Sequence, residues 1–453
     1  MRDALVLLIV LVGVAVTLRY PFAGVLLWAW FSLMTPHQLA YGVFGVPLNV
    51  LIAGATTGSI LLHGEYKRFR VDALTILLLL FIALINFSQM ASLAPDYSAD
   101  FADRLTKTVI FAIICTQMAY SKVRIHALLW ILVLAIGYFG LKGAIFTVAT
   151  LGQYRVQGIE MTLLEDNNHL GIALATVLPL MLYLRSQVSS PAARAGLLVF
   201  AGAAVISILG THSRGALLTL IAFGFFYWLQ SRHKVLHATV GLVAGVSALA
   251  FLPSKWMERM STIGEATKDE SFMGRVISWQ NNYELAAQNP FTGAGMRNAY
   301  QPEIVANHLG PERAEFAIAA HSIYFEILGG AGFVALGVFL SILLSSLVTC
   351  MLLRRKMFAT SPLKGQRPDD EHWRHSFGYY GFVALAAFMI GGASVSLEMW
   401  DGYWLICAII ASMASLSRKE VATKKNQVAP AVEIRKRKWK SAARGSHITT
   451  KSI

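Results

Sequence analysis

The sequence predicts an all-α polytopic membrane protein, and three observations carry that prediction. Of the 453 residues, 56% are hydrophobic and only 14% charged, whereas soluble domains carry roughly 25% charged residues. Mean hydropathy is +0.55. Apolar runs approaching the ~20 residues that a spanning helix needs recur along the whole chain. The net charge of +14 is spread over short loops and the tail, so it points to a membrane surface and not to nucleic acid.

Taken in order, the apolar segments are 4–18, 21–34, 43–62, 73–92, 106–120, 126–148, 169–184, 195–212, 214–230 and 235–252, followed by 322–353, 376–394 and 401–416. The first two are short. They form either one crossing broken around Pro21 or two short ones, which makes the expected total 12 or 13 spans. The run Ala4–Leu18 follows only Arg2 and lacks a small-residue cleavage site, so no removable signal peptide is expected. Cys115, Cys350 and Cys407 all fall inside apolar runs and read as packing residues, with no disulfide framework.

Basic residues mark every second loop: Lys67, Arg68 and Arg70; Lys122 and Arg124; Arg185 and Arg194; Arg232 and Lys234; Arg354, Arg355 and Lys356. By the positive-inside rule these loops are cytoplasmic, and 93–105, 149–168, 253–321 and 395–400 face the opposite, periplasmic side of a bacterial inner membrane. The expected organisation is an N-terminal transmembrane bundle (1–252), a long periplasmic loop with short helices between the tenth and eleventh apolar segments (253–321), C-terminal transmembrane helices (322–417), and a basic, disordered cytoplasmic tail (418–453). Loops as long as 253–321, with no linker-like composition, usually carry function.

Candidate residues cluster at the outer ends of helices. Ionisable groups at membrane depth are costly and therefore mark sites. Arg214 sits in Thr211-His212-Ser213-Arg214-Gly215, a minimal turn between two apolar runs. It reads either as a snorkelling helix terminus or as an anion ligand beside a permissive glycine. Arg275 lies on a short amphipathic helix expected at Met273–Ala287, and reads either as an exposed loop residue or as a second anion ligand. Arginine forks suit phosphate oxygens. His321, opening the next apolar run in Ala320-His321-Ser322, is either an interfacial residue or, kept neutral by depth and neighbouring arginines, a general base. Asn167, in Asn167-Asn168-His169-Leu170-Gly171, reads as a helix cap or as part of an anion-favouring helix start, and Asp401 as a cap. The outer loops lack the spaced aspartates that hold a catalytic divalent metal, and the sequence has no nucleotide-binding glycine pattern. No cofactor is expected.

These motifs together resemble the O-antigen ligase family: many spans, then a late periplasmic loop closed by His321-Ser322, nine residues, and Gly332. The family's motif continues to Gly, Thr or Tyr three residues on, where this chain has Ala335. Ser213-Arg214-Gly215 resembles the family's arginine helix start, Arg275 its loop arginine, and Asn289-Pro290 with Gly293 and Gly295 its loop turn. The resemblance covers roughly 165–345, and the first 60 residues are similar to ligases associated with exosortase systems. It implies a fold like the lipid-sugar glycosyltransferases of the GT-C class. The implied reaction is glycan transfer from undecaprenyl diphosphate to a lipid A-core sugar, without metal. In that reaction His321 is the base, Arg214 and Arg275 hold the diphosphate, and Asn167, His169, Ser322, Gly295 and Asp401 support them. An O-antigen polymerase and a protein O-glycosylation ligase with a Ser or Thr acceptor share this chemistry. A membrane transporter is the alternative from another class, but transporters place charges near the midplane and show internal repeats.

Overall fold

The computed structural model describes residues 2–43, 45–231, 233–251, 270–354 and 369–418, and their regular structure is entirely helical. The helices are α1 (Arg2–Arg19), α2 (Pro21–Met34), α3 (Leu48–Leu62), α4 (Ala73–Met90), α5 (Pro95–Met118), α6 (Lys122–Ala149), α7 (Asn167–Gln187) and α8 (Pro191–Gly210). They continue as α9 (Arg214–Gln230), α10 (Lys234–Phe251), α11 (Glu270–Gln288), α12 (Pro302–Leu309), α13 (Ile323–Arg354), α14 (Asp369–Gly392) and α15 (401–418). Five of them (α4, α6, α7, α8 and α13) are long and apolar enough to cross a membrane, and four shorter apolar helices join them. This is a polytopic membrane protein. The expected tail falls almost wholly at 419–453, outside the described residues.

At the N-terminal side one open alternative is decided and one expectation is corrected. The apolar stretches 4–18 and 21–34 are not one broken crossing: Tyr20 alone separates α1 from α2, and the two run antiparallel. A Cβ on Gly13 would meet Leu27, and one on Gly24 would meet Thr17, so the pair packs as a tight hairpin. Residues 95–105, expected as loop, are the first half of α5. Pro95 opens the helix, Ser98, Ala102 and Leu105 turn inward at helical spacing, and Lys107 pairs with Asp103 on the outer face.

The centre of the bundle is α7 and α15, where Ile172–Ala175 and Tyr403–Ile410 are buried on every side. Around them helices approach through small residues. Along the parallel pair α6 and α8, Gly140 faces Ala204, Gly143 faces Ser207 and Gly210 faces Thr147. All three cysteines are buried and free.

The bundle has two chemically different ends. At one, Arg68 donates to the Tyr120 hydroxyl (2.8 Å), the Arg124 guanidinium sits 4.0 Å above the Tyr120 ring, Lys122 lies over Trp373, and Arg418 pairs with Asp72. At the other, the end of α4, the start of α5, the 150–166 loop, the α8–α9 turn, the 289–321 interval and the α14–α15 connection converge. Among the described residues, the basic loops and the segments expected outside thus separate onto opposite ends.

Candidate functional site

The site end is built on a deliberate fault in α13. At Gly332 the backbone adopts φ 81°, ψ −179°, a region open essentially to glycine alone. The fault strips carbonyls of their helical partners, and the turn that follows α11 supplies new ones. The Ala294 and Gly295 amides donate to the Gly329 and Gly330 carbonyls (2.8 and 3.0 Å), while the Phe333 amide donates back to Pro290 (2.9 Å). The Ser88 hydroxyl also donates to Gly330 (2.6 Å), tying in α4. A Cβ on Gly293 would lie 2.7 Å from the Ala331 nitrogen, and one on Gly332 would lie 2.7 Å from the Pro290 oxygen. Asn289-Pro290…Gly293…Gly295 and the closing Gly332 are therefore two halves of one clasp. Gly295 itself closes against Ser92 and Asn298, so its place is in the clasp.

The clasp and α11 together fix His321. Residues 317–322 have no helix of their own, and α11 satisfies their carbonyls. Ser278 donates to Ile318 (2.8 Å) and Trp279 to Ala320 (2.7 Å), with the Trp279 ring stacked on Phe325. On the other side, Glu326 accepts from the Ala320 amide (3.0 Å), the Tyr300 hydroxyl (2.6 Å) and the Ser396 hydroxyl (2.6 Å). Between these anchors His321 is held at φ 48°, a left-handed conformation uncommon outside glycine. Ser322 is buried, and its carbonyl accepts from the Glu326 amide (2.9 Å) in the first turn of α13.

Burial and then the Arg275 cation push the His321 imidazole down to about 4; His169 and Arg297 act in the same direction, and Asp166 opposes them. His321 is thus neutral at ordinary pH. Arg275 and His169 thus both lie within electrostatic reach of His321.

Arg214 opens α9 at the same end. Ser213 caps the helix by accepting from the Ala216 amide (3.1 Å), and a Cβ on Gly215 would meet Ser394, just beyond α14. The turn before it is wired outward: His212, at φ 53°, bonds the Gly152 carbonyl through Nε2 (2.9 Å), and Gly210 accepts from the Val156 amide. Asn167 is not the cap of α7. Asp166 is, accepting from the Asn168 and His169 amides, and the Asn167 side chain donates to the Thr211 carbonyl (2.7 Å), tying α7 to the Arg214 turn. The Asp166 carboxyl lies below its usual range; burial raises it, but His169 and these amide bonds outweigh that. Asp401, expected as a cap, opens α15 in a crevice shared with Arg104, Trp400, Ser32, Thr35 and Thr162.

Several charged residues at this end escaped the sequence reading. Glu398, fully buried, pairs with Arg297 at 3.5 Å, and the Arg297 guanidinium lies over Phe101 and Tyr300. Burial alone would lower Arg297; Glu398 and then Tyr300 more than offset it and hold the guanidinium above its usual value. Glu326 and Arg104 belong to the same set. The signal was present for Glu326, a carboxylate in the first turn of an apolar helix. Among the described residues, no three His, Cys, Asp or Glu side chains converge as metal ligands would.

Residues 197–340 match the family model described as O-antigen ligase, and this segment contains Arg214, Arg275, the clasp, His321 and Gly332. Over this segment, the chain is similar to the O-antigen ligases. The O-antigen ligase domain goes with ligase- or polymerase-type activity on lipid-linked glycans at a membrane. Residues 1–189, with Asn167 and His169, match a second model, described as a family of unknown function (DUF5935). No curated protein matches the chain.

Proposed function

We propose that this chain is a metal-independent glycosyltransferase of the bacterial inner membrane that moves a glycan from undecaprenyl diphosphate to a lipid A-core sugar at its periplasmic face. The observation that carries the reading is His321. It is a strained, doubly anchored, neutral imidazole beside Arg275, inside the O-antigen ligase segment.

The step is a single displacement. The acceptor hydroxyl oxygen attacks the anomeric carbon and the bond from that carbon to the diphosphate oxygen breaks. The hydroxyl proton passes to His321. Undecaprenyl diphosphate departs with the electron pair, its charge held by Arg214 and Arg275. A free-enzyme value of about 4 describes a weak base. Bound diphosphate neutralises the arginine charge that lowers it, so the donor itself raises the basicity of His321. Lipid substrates require the site to open sideways toward the bilayer, in keeping with a GT-C-like architecture of 12 or 13 spans.

Polymerisation onto a second lipid-linked chain and transfer to a protein Ser or Thr use the same chemistry, and the sequence does not separate them. Purified protein incubated with undecaprenyl-linked glycan and either lipid A-core or a Ser/Thr-rich secreted protein distinguishes them. Transfer to lipid A-core is the expected result. Transfer only to protein, or only chain extension, would overturn the acceptor assignment, and movement of solute with no transfer would favour a transporter.

A further inference from the structure

His169 occupies the first turn of α7, whose start is fixed by the Asp166 cap and by the bond from Asn167 to Thr211. Its Nδ1 lies 2.7 Å from the Leu163 carbonyl oxygen. A carbonyl can only accept, so Nδ1 carries the hydrogen, and in a neutral ring Nε2 is then a bare lone pair. That Nε2 is shut away from solvent and has no hydrogen-bond partner among the described residues. A doubly protonated ring would place an unpaired N–H and a charge in the same dry position, a worse arrangement. Buried acceptors left unpaired are destabilising, so each one in a native fold calls for a functional or binding explanation.

The position is not remote. His169 lies within electrostatic reach of His321, Glu398 and Arg297, and the Leu163 that orients it lines the crevice between Arg104 and Asp401. The lone pair also defines what it can bind. It repels phosphate oxygens, so the helix start that the sequence offered as an anion site does not present this atom to diphosphate. It requires an O–H or N–H donor.

We propose that His169 Nε2 accepts a hydrogen bond from a hydroxyl of the acceptor sugar, orienting that substrate for attack beside His321. This rests on the transferase reading above and adds to it a residue outside the O-antigen ligase segment, in the N-terminal family region.

Two substitutions separate this role from a merely structural one. His169→Asn sets its amide nitrogen near the place of Nδ1, keeping the bond to Leu163 while deleting Nε2. His169→Gln sets its amide near Nε2 and gives up the Leu163 bond. With purified full-length enzyme, undecaprenyl-linked glycan and lipid A-core, the Asn variant should keep its melting temperature and donor KM. Its acceptor KM should rise roughly fivefold to tenfold, the loss of one hydrogen bond of ordinary strength. The Gln variant should melt earlier yet hold acceptor KM within a few-fold of wild type. A wild-type acceptor KM in the Asn variant, or a rise in donor KM instead, overturns the inference while leaving the transferase reading intact. Absence of transfer to any hydroxyl acceptor by the wild type overturns both.

Discussion

His321 shows how one residue is tuned by its neighbours, and that tuning can be measured. Its free-enzyme value of about 4 follows first from burial and then from Arg275. The neutral ring is the active form, so transfer should fall as pH drops through the folded value. The acid limb of kcat/KM should therefore lie near 4, well below an ordinary histidine, and that of kcat should lie higher, once bound diphosphate offsets the arginine charge. Arg275→Gln removes a cation that lowers the value, so the kcat/KM limb should move to higher pH; a limb that stays put would mean that Arg275 does not face His321. The forks themselves give a second test. Arg214→Lys and Arg275→Lys keep the charge but lose bidentate geometry, and each should slow transfer about tenfold to a hundredfold with weaker donor binding. Near-normal rates in both lysine variants, in a transfer assay at saturating and limiting donor, would make the arginines structural. His321, Arg214 and Arg275 were legible because histidine and arginine stand out at the ends of apolar runs. Glu398 was not, because its partner Arg297 lies 101 residues away in sequence.

Among the elements, the clasp between the Asn289–Gly295 turn and the fault in α13 holds the His321 segment in place. Gly332→Ala forces a side chain into a glycine-only conformation against the Pro290 oxygen; such strain is typically worth about 1–3 kcal/mol. The expected outcome is a lower melting temperature together with loss of transfer. Gly337→Ala, one turn further along the same helix and with nothing within 4 Å of the new methyl, should be neutral or slightly stabilising. Equal melting temperatures for wild type and Gly332→Ala would show that the clasp is not under the constraint described. The glycines and Pro290 were readable from sequence because turns announce themselves in glycine and proline. What they clasp was not, since nothing in the run 322–353 marks the carbonyls that the turn completes. The first half of α5 was missed for a related reason. Its charges look like a loop until Ser98, Ala102 and Leu105 are seen to fall on one buried stripe.

At the scale of the whole molecule, one end carries basic and aromatic contacts and the other gathers nearly every buried charge among the described residues. Sequence anticipated this division because loop charge alternates along the chain, a pattern set by membrane insertion and not by packing. Chemistry driven by fixed cations should be indifferent to chelation, so excess EDTA is expected to leave transfer unchanged; loss with EDTA and recovery with magnesium or manganese would contradict the metal-free mechanism. The central claim, a histidine base in an anchored pocket, has a more direct test. His321→Gln preserves shape and hydrogen bonding without basicity. With donor binding and melting temperature measured alongside, transfer from undecaprenyl-linked glycan to lipid A-core should drop by roughly 10²–10⁴-fold while both controls stay at wild-type values. A His321→Gln enzyme that turns over like the wild type would contradict the account.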